Sequence, residues 1–395
     1  MRVAILGGKL QGVEACYLAG KAGWQVALVD KNPAAPAAKL CDDFYVFDLM
    51  DNDKLTALLR SVQFVVPALE DKAVLDNLYQ CANRVGVKVV YDKQAYALSA
   101  SKLASDTLFA KMQVPAPKPW PLCQFPVTVK PSGASGSEDV FLVSNRQELE
   151  ALRQQLGGFE GWVVQEFLEG PSYSVEVVGC NGEYRALQVT ELAMDDVYDC
   201  KRVLAPAMLP TDKEQDFCEI ALALAGRLQL EGIMDVEAIY HDGLFKVLEI
   251  DARLPSQTLT AVYNSTGINA LEALWFGLNP TDRKNRNKTA CGVIYEHIKV
   301  TPERIEVCGE HIMAAAGHLY LYHDFFGATE ALSNYQPGQQ EWVATLIITG
   351  EDRAQAWRRR TSVIQAIMKH TGVSRYQDTE PPLPGRQAVG IEEAV

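Results

Sequence analysis

Residues 232–258 read GIMDVEAIYHDGLFKVLEIDARLPSQT and concentrate four carboxylates and an arginine in two alternating segments. Side chains alternate faces along a strand. Asp235 and Glu237 therefore share one face of the first segment, and Glu249, Asp251 and Arg253 share one face of the second. The His241-Asp242-Gly243 turn is a hairpin signal and makes the two segments neighbours. Carboxylates on paired strands inside apolar sequence repel one another unless something neutralises them. Hard oxygen ligands in such a group suit Mg2+ bridging nucleotide phosphates, and Arg253 can hold a transferring phosphoryl group. A solvated polar face on an edge hairpin is the competing reading. Against it, Ile233, Val247, Leu248 and Ile250 are expected to face the core.

Two upstream stretches fit the same chemistry. In VTVKPSGASGSEDVFLV, residues 127–143, a strand ends in Lys130 and a Gly- and Ser-rich loop with Ser135, Gly136 and Ser137 follows. Such a loop can cover phosphates with its backbone N–H groups while the lysine supplies charge. An ordinary surface loop is the alternative. In VVQEFLEGPSYSVEVV, residues 163–178, the backbone of Glu166, Phe167 and Leu168 can read the edge of an adenine. A plain hairpin with a Gly-Pro turn explains the stretch equally well.

The N-terminal GGKLQG, residues 7–12, approaches a dinucleotide-binding loop but carries Lys9 where the middle glycine belongs. A side chain there obstructs the approach of a pyrophosphate to the backbone. Asp30, at the end of the second strand, stands where a ribose-binding acid would sit. A tight strand-to-helix turn needs glycines regardless of any nucleotide. In a third reading, Lys9 and Gln11 direct a cation and an amide at a carboxylate.

The elements that must position these residues are legible in outline. Residues 1–97 alternate strand and helix, which predicts a parallel, Rossmann-like α/β sheet buried on both faces. A helix over SKLASDTLFAKMQ and four alternating prolines, Pro115 to Pro121, lead into a β-rich region with a helix between its strands. A long helix over 213–230, the acidic hairpin and a helix at NALEALWFGL follow. The last part opens with the polar run TDRKNRNK, then shows strands, a helix near 352–370, and a Pro- and Glu-rich tail whose composition fits disorder. The expected division is 1–97, then 98–280 in two parts (98–164 and 165–280), then an α+β part over 281–395.

Bulk properties exclude several classes. A net charge of −13 opposes binding to nucleic acid. Nine scattered cysteines without a CxxC pair fit free thiols in a reducing compartment and offer no metal cluster. No apolar run approaches the roughly 20 residues that span a bilayer. A cytoplasmic protein with no membrane partner is expected.

Taken together and in this order, the three stretches, with Lys102 ahead of them in SASKLASDTLF, resemble the ATP-grasp superfamily of carboxylate–amine ligases over about residues 1–280. The resemblance implies ATP and Mg2+ as cofactors. It implies that Lys102 and Lys130 contact the ATP phosphates, that Ser135, Gly136 and Ser137 cover them, and that Glu166–Leu168 hold the adenine. It implies further that Glu237, Glu249 and Asp251 bind Mg2+ and that Arg253 is catalytic. The first domain would be the domain that precedes the grasp in such ligases, its PALE stretch ending in Glu70, and a homodimer is common in the superfamily. One departure concerns the ribose. Many members carry a glutamate where this chain reads Pro171-Ser172, and Glu169 is a candidate substitute.

The strings GGKLQG, VDKNP, GIMDVEAI, EIDARLPSQT, TAVYNSTGIN and IYEH are similar to a narrower branch, the ligases of pyrrolysine biosynthesis. That likeness implies two diamino-acid substrates, 3-methyl-D-ornithine and L-lysine, joined through an acyl phosphate. Each ammonium needs an acidic partner and each carboxylate a cation or amide donor. Lys9, Leu10, Gln11 and Glu70 are expected at a lip of the amino-acid site. Glu176, Asp195, Asp196, Asp199, Asp235, Arg253 and Ser256 are further candidates, with Asp199 expected over the ATP site. His297 is expected to be a core histidine. A ligase for other amino acids, of dipeptide or D-alanine type, and an NAD-dependent oxidoreductase are the rival readings.

Overall fold

The computed structural model describes residues 1–133, 139–278 and 291–381. Ser135, Gly136 and Ser137, the polar run 281–288 and the tail lie outside the described residues.

Arg2–Leu6, RVAIL, is the central strand of a five-stranded parallel sheet; Gln25–Asp30 and then Asp43–Val46 lie to one side of it, and Phe64–Pro67, the fourth strand, and then Lys88–Val89 to the other. Its residues Val3 to Leu6 are fully buried because helices cover both faces. Val3 and Ile5 pack with Leu28, Phe64 and the helix Leu10–Lys21 on one side. Ala4 and Leu6 pack with Leu55, Leu59 and Leu78 of two other helices on the opposite side. A continuous apolar run is what a two-sided parallel strand requires. Each fully buried aliphatic side chain contributes roughly 1.5–3 kcal/mol.

The turn after this strand answers the glycine question. Gly7 has φ +104°, and a Cβ there would lie 2.3 Å from the Ala68 carbonyl oxygen. A Cβ on Gly12 would lie 2.2 Å from the Gly7 carbonyl oxygen. Both glycines are thus demanded by the turn itself. Asp30 accepts hydrogen bonds from the Gly8 and Asn32 amides at 2.7 and 2.8 Å, so its carboxylate holds the loop.

A short helix, Lys93–Ser99, escaped the sequence reading although Asp92 caps it by accepting from the Gln94 and Ala95 amides. Ser101 then caps Lys102–Met112 and places Lys102 in its first turn. A three-stranded sheet follows, with Val127–Pro131 between Phe141–Val143 and Trp162–Glu166.

The remaining strands join into one twelve-stranded sheet. Ser172–Cys180, Gly232–His241 and Leu244–Asp251 lie side by side and antiparallel at one end. Cys200–Ala205 pairs with Gly292–Val300, so the sheet runs without a break across the expected border at residue 280. Four strands of the last part were not foreseen: Arg304–Val307, Tyr320–Phe325, Ala328–Ser333 and Arg375–Asp378. The helix Thr258–Thr266 was also missed. It is almost wholly buried, so it lacks the one-sided apolar stripe that betrays a surface helix.

Candidate active site

The acidic hairpin pairs Asp235 with Asp251 and Glu237 with Glu249. The neighbouring strand sets Glu176 opposite Asp235 and Ser174 opposite Glu237. Two polar rows therefore cross three strands. A register shift after Glu237 pairs Ala238 with Val247 and leaves Leu248 extra. This bulge corrects one expectation. Val247 and Ile250 both reach the core, but Leu248 turns outward into a cavity. Strict alternation cannot place residues three apart on one face, and the bulge does so.

The first cavity, of about 340 Å³, is lined by Lys102, Lys130, Glu237, Leu248 and Glu249, and by the segment from Gln165 to Gly170. Lys102 pairs with Glu249 at 2.9 Å. Lys130 is buried and has no ion-pair partner among the described residues. Burial holds its ammonium below the ordinary lysine range. Glu166 accepts from Lys246 Nζ at 2.9 Å and from the Lys118 amide at 3.2 Å, which fixes the start of the segment. Its wall toward the cavity is mostly apolar, through Phe167, Leu168, Ile239 and Leu142.

The four carboxylates differ in charge state. Burial pushes Glu237 up to about 8, with Glu249 and Asp251 adding repulsion. Burial likewise raises Asp251 to about 7 against the pull of Arg253. Asp235 lies well above the carboxylate range for the same reason. Burial also acts on Glu249, but Lys102 and Lys130 outweigh it and hold that group low. Protons thus stand in for positive charge that the protein does not supply. Hard oxygen donors in this state fit a divalent cation such as Mg2+, and the buried Asp235 Oδ1 has no hydrogen-bond partner among the described residues.

The second cavity, of about 740 Å³, lies where the ends of the first sheet meet the hairpin. It is lined by Lys9, Leu10, Gln11, Glu70, Arg253 and Ser256, with Asp199, Glu310 and His311. Gln11 donates to Glu70 at 2.8 Å. Arg253 pairs with Glu70 at 2.9 Å and with Asp251 at 3.0 Å. Burial would lower the Arg253 pKa, but Asp251 and Glu70 hold it above its ordinary value. The guanidinium therefore ties the second cavity to the acidic hairpin.

Several expected substrate residues are not at a surface. Glu176 is fully buried, and Asp235 is 6% exposed. Neither lines either of these two cavities, and both belong to the cross-strand row Asp251–Asp235–Glu176. Ser174 donates to Glu176 at 3.0 Å. Asp195 closes its own loop, accepting from the Val197, Asp199 and Gly309 amides. Asp196 is exposed and away from both cavities. Asp199 faces the second cavity and not the first, held by His311 Nδ1 at 2.6 Å. Asp195, Asp199 and His311 are close enough to share a cation, but backbone amides already occupy the aspartates. His297 is a core histidine against Thr345, and burial brings it down to about 3.

Sequence reasoning missed Lys246, Glu310 and His311. Lys246 is one lysine on a hairpin, and Glu310 and His311 open the short helix His311–Ala314 without motif spacing. Glu310 accepts from Ser256 at 2.7 Å, and burial raises its pKa.

The chain as a whole is similar to known proteins. Residues 99–257 match the family model of the ATP-grasp domain, and residues 3–90 match that of the PylC-like N-terminal domain. The 3-methyl-D-ornithine–L-lysine ligase of Methanosarcina mazei is 33% identical over 383 residues, covering 94% of this chain and 97% of that protein. The Methanosarcina barkeri protein of the same name is 33% identical over 376 residues, covering 94% and 98%. Among solved structures, the Hydrogenobacter thermophilus biotin carboxylase domain dimer with MgADP has a TM-score of 0.69 at 12% identity, covering 98% of this chain and 90% of that one. The L-amino acid ligase of Bacillus licheniformis has a TM-score of 0.65 at 14% identity, covering 92% and 97%. No helix among the described residues is long and apolar enough to cross a membrane. On its sequence likeness and its architecture alike, the chain belongs to the ATP-grasp carbon–nitrogen ligases, in the branch with a PylC-like N-terminal domain.

Proposed function

We propose that the protein joins the carboxylate of 3-methyl-D-ornithine to the ε-amine of L-lysine at the expense of ATP. The observation that carries this reading is Lys130, a buried ammonium at the wall of the first cavity with no salt bridge to a described residue. A buried lysine is tolerated where an anion completes it. With Lys102 beside it, the pair suits the phosphates of ATP, and Glu166–Leu168 suit the adenine.

A carboxylate is a poor electrophile, so it must be activated. One carboxylate oxygen of the ornithine attacks the terminal phosphorus and ADP leaves, giving an acyl phosphate. The lysine nitrogen then attacks the carbonyl carbon, phosphate leaves and one proton is lost. The protein contributes placement and charge neutralisation. Arg253, tied to Glu70 and Asp251, faces the transferring group from the second cavity. Glu237, Glu249 and Asp251 would hold Mg2+, which supplies positive charge against the phosphates. Lys9, Leu10, Gln11, Glu70, Asp199 and Ser256 are the candidates to bind the diamino acids. The larger volume of the second cavity suits two such molecules better than one.

The test is an assay with Mg-ATP and pairs of amino acids, with mass detection of the amide. Amide should form, with one ADP released per bond, only when both 3-methyl-D-ornithine and L-lysine are present. Equal turnover with D-alanine pairs, or none with the named pair, would overturn the reading. A homodimer is part of the proposal, and light scattering at the 43.5 kDa of one chain would remove it.

A further inference from the structure

The strand Arg375–Asp378 continues into a short strap, Thr379–Pro381, and both Glu380 and Pro381 line the first cavity. A buried ionic group holds this strap. Asp378 accepts from Arg202 at 2.6 Å and pairs with Lys201 at 2.7 Å. Lys201 Nζ also donates to the Thr379 carbonyl. The Lys201 and Arg202 side chains are 3% and 7% exposed. Arg202 and Arg360 converge on the fully buried Glu296, and Arg360 donates to the Tyr376 hydroxyl. The clamp sets the strap from the last strand of the chain against a cavity built by the ATP-grasp region.

Glu380 itself makes no hydrogen bond or ion pair with a described residue. The cavity offers lysines for phosphates and an apolar wall for a base. A nucleotide has one further polar part, the ribose diol, whose two hydroxyls seek acceptors. A carboxylate accepts from both. The other acids of the wall are engaged: Glu166 with Lys246, Glu249 with Lys102, and Glu237 within the hairpin cluster. Ser172 lines the cavity without a charge. Glu169 and Glu380 both line the cavity and both are exposed, but they differ in support: Glu169 is tied only through its carbonyl to His241, whereas Glu380 follows directly on the clamped Asp378 and Thr379.

We propose that Glu380 takes the ribose hydroxyls of the nucleotide, so that the C-terminal strap completes the ATP site, with Asp378 as its positioning residue. The proposal rests on reading the first cavity as the nucleotide site. Calorimetric titration of the full chain with Mg-ADP and Mg-2′-deoxy-ADP tests it. Wild type should prefer ADP about 10-fold, the order of one hydrogen bond to a charged acceptor. Glu380→Gln should lose about 10-fold for ADP and most of the preference, with an unchanged melting temperature. Glu169→Gln should keep the preference. An undiminished preference in Glu380→Gln, or its loss in Glu169→Gln, overturns the assignment and leaves the ligase reading standing. Wild-type protein that binds neither nucleotide overturns both.

Discussion

At the scale of single residues, Lys130 and Glu14 illustrate opposite uses of burial. Lys130 is buried with no salt bridge to a described residue, so the ligand-free protein bears a cost that ATP relieves. Lys130→Met should raise the melting temperature without ligand, since an unpaired charge is replaced by an apolar chain of similar length. It should also lower kcat/KM for ATP by about 10²–10³-fold, the scale of one lost charge-stabilising donor. Thermal shift and steady-state kinetics on the same sample check both halves. Glu14 is a buried acid that accepts from the Thr260 amide and hydroxyl. Burial raises it from 4.5 to about 8. The folded state therefore holds a proton that the unfolded chain releases near pH 4.5. Its stabilising contribution is complete below that value and is lost as pH rises through 8, at up to about 1.4 kcal/mol per pH unit. Glu14→Gln removes this dependence. The stability difference between variant and wild type should thus move in favour of Gln between pH 5 and 8, measured by urea unfolding. A constant difference would count against a protonated Glu14.

At the scale of elements, the acidic hairpin was readable because alternation and a two-residue turn fix its register before any tertiary contact forms. The first sheet was readable because each strand is an unbroken apolar run flanked by helices. What escaped has a physical cause in each case. The bulge at Leu248 depends on Ala238 pairing with Val247, which no single segment encodes. Glu176 and Asp235 were misjudged because sequence gives the face of a residue, while the neighbouring strand decides whether that face is open. Asp378 gave no signal, since its partners Lys201 and Arg202 are more than 170 residues away, and Glu380 gave none because it bonds to no described residue. The cavity wall offers an element-level test. Gly170 lies so close to the hairpin that a Cβ would sit 2.2 Å from the Tyr240 carbonyl oxygen. Gly170→Ala should push the segment Glu166–Gly170 off the hairpin, costing about 1–3 kcal/mol and raising KM for ATP. The amino-acid KM values should stay the same; if KM for ATP also stays the same, that segment does not hold the nucleotide.

At the scale of the whole molecule, the two cavities divide the labour, and substitutions in one should leave the ligand of the other alone. Lys9→Ala acts in the second cavity and should raise an amino-acid KM several-fold with KM for ATP unchanged. An amino-acid KM that does not move with Lys9→Ala would detach the N-terminal turn from substrate binding. Arg253 stands apart from this separation, because one guanidinium grips the loop that follows the fourth strand and the carboxylate of the hairpin at once. Any change of substrate that displaced Glu70 would be passed through it to the groups assigned to the cation. A lineage adapting this scaffold to a longer or shorter diamino acid is therefore steered toward the far rim, around Lys9 and Ser256, where side chains can be exchanged without disturbing the phosphate chemistry.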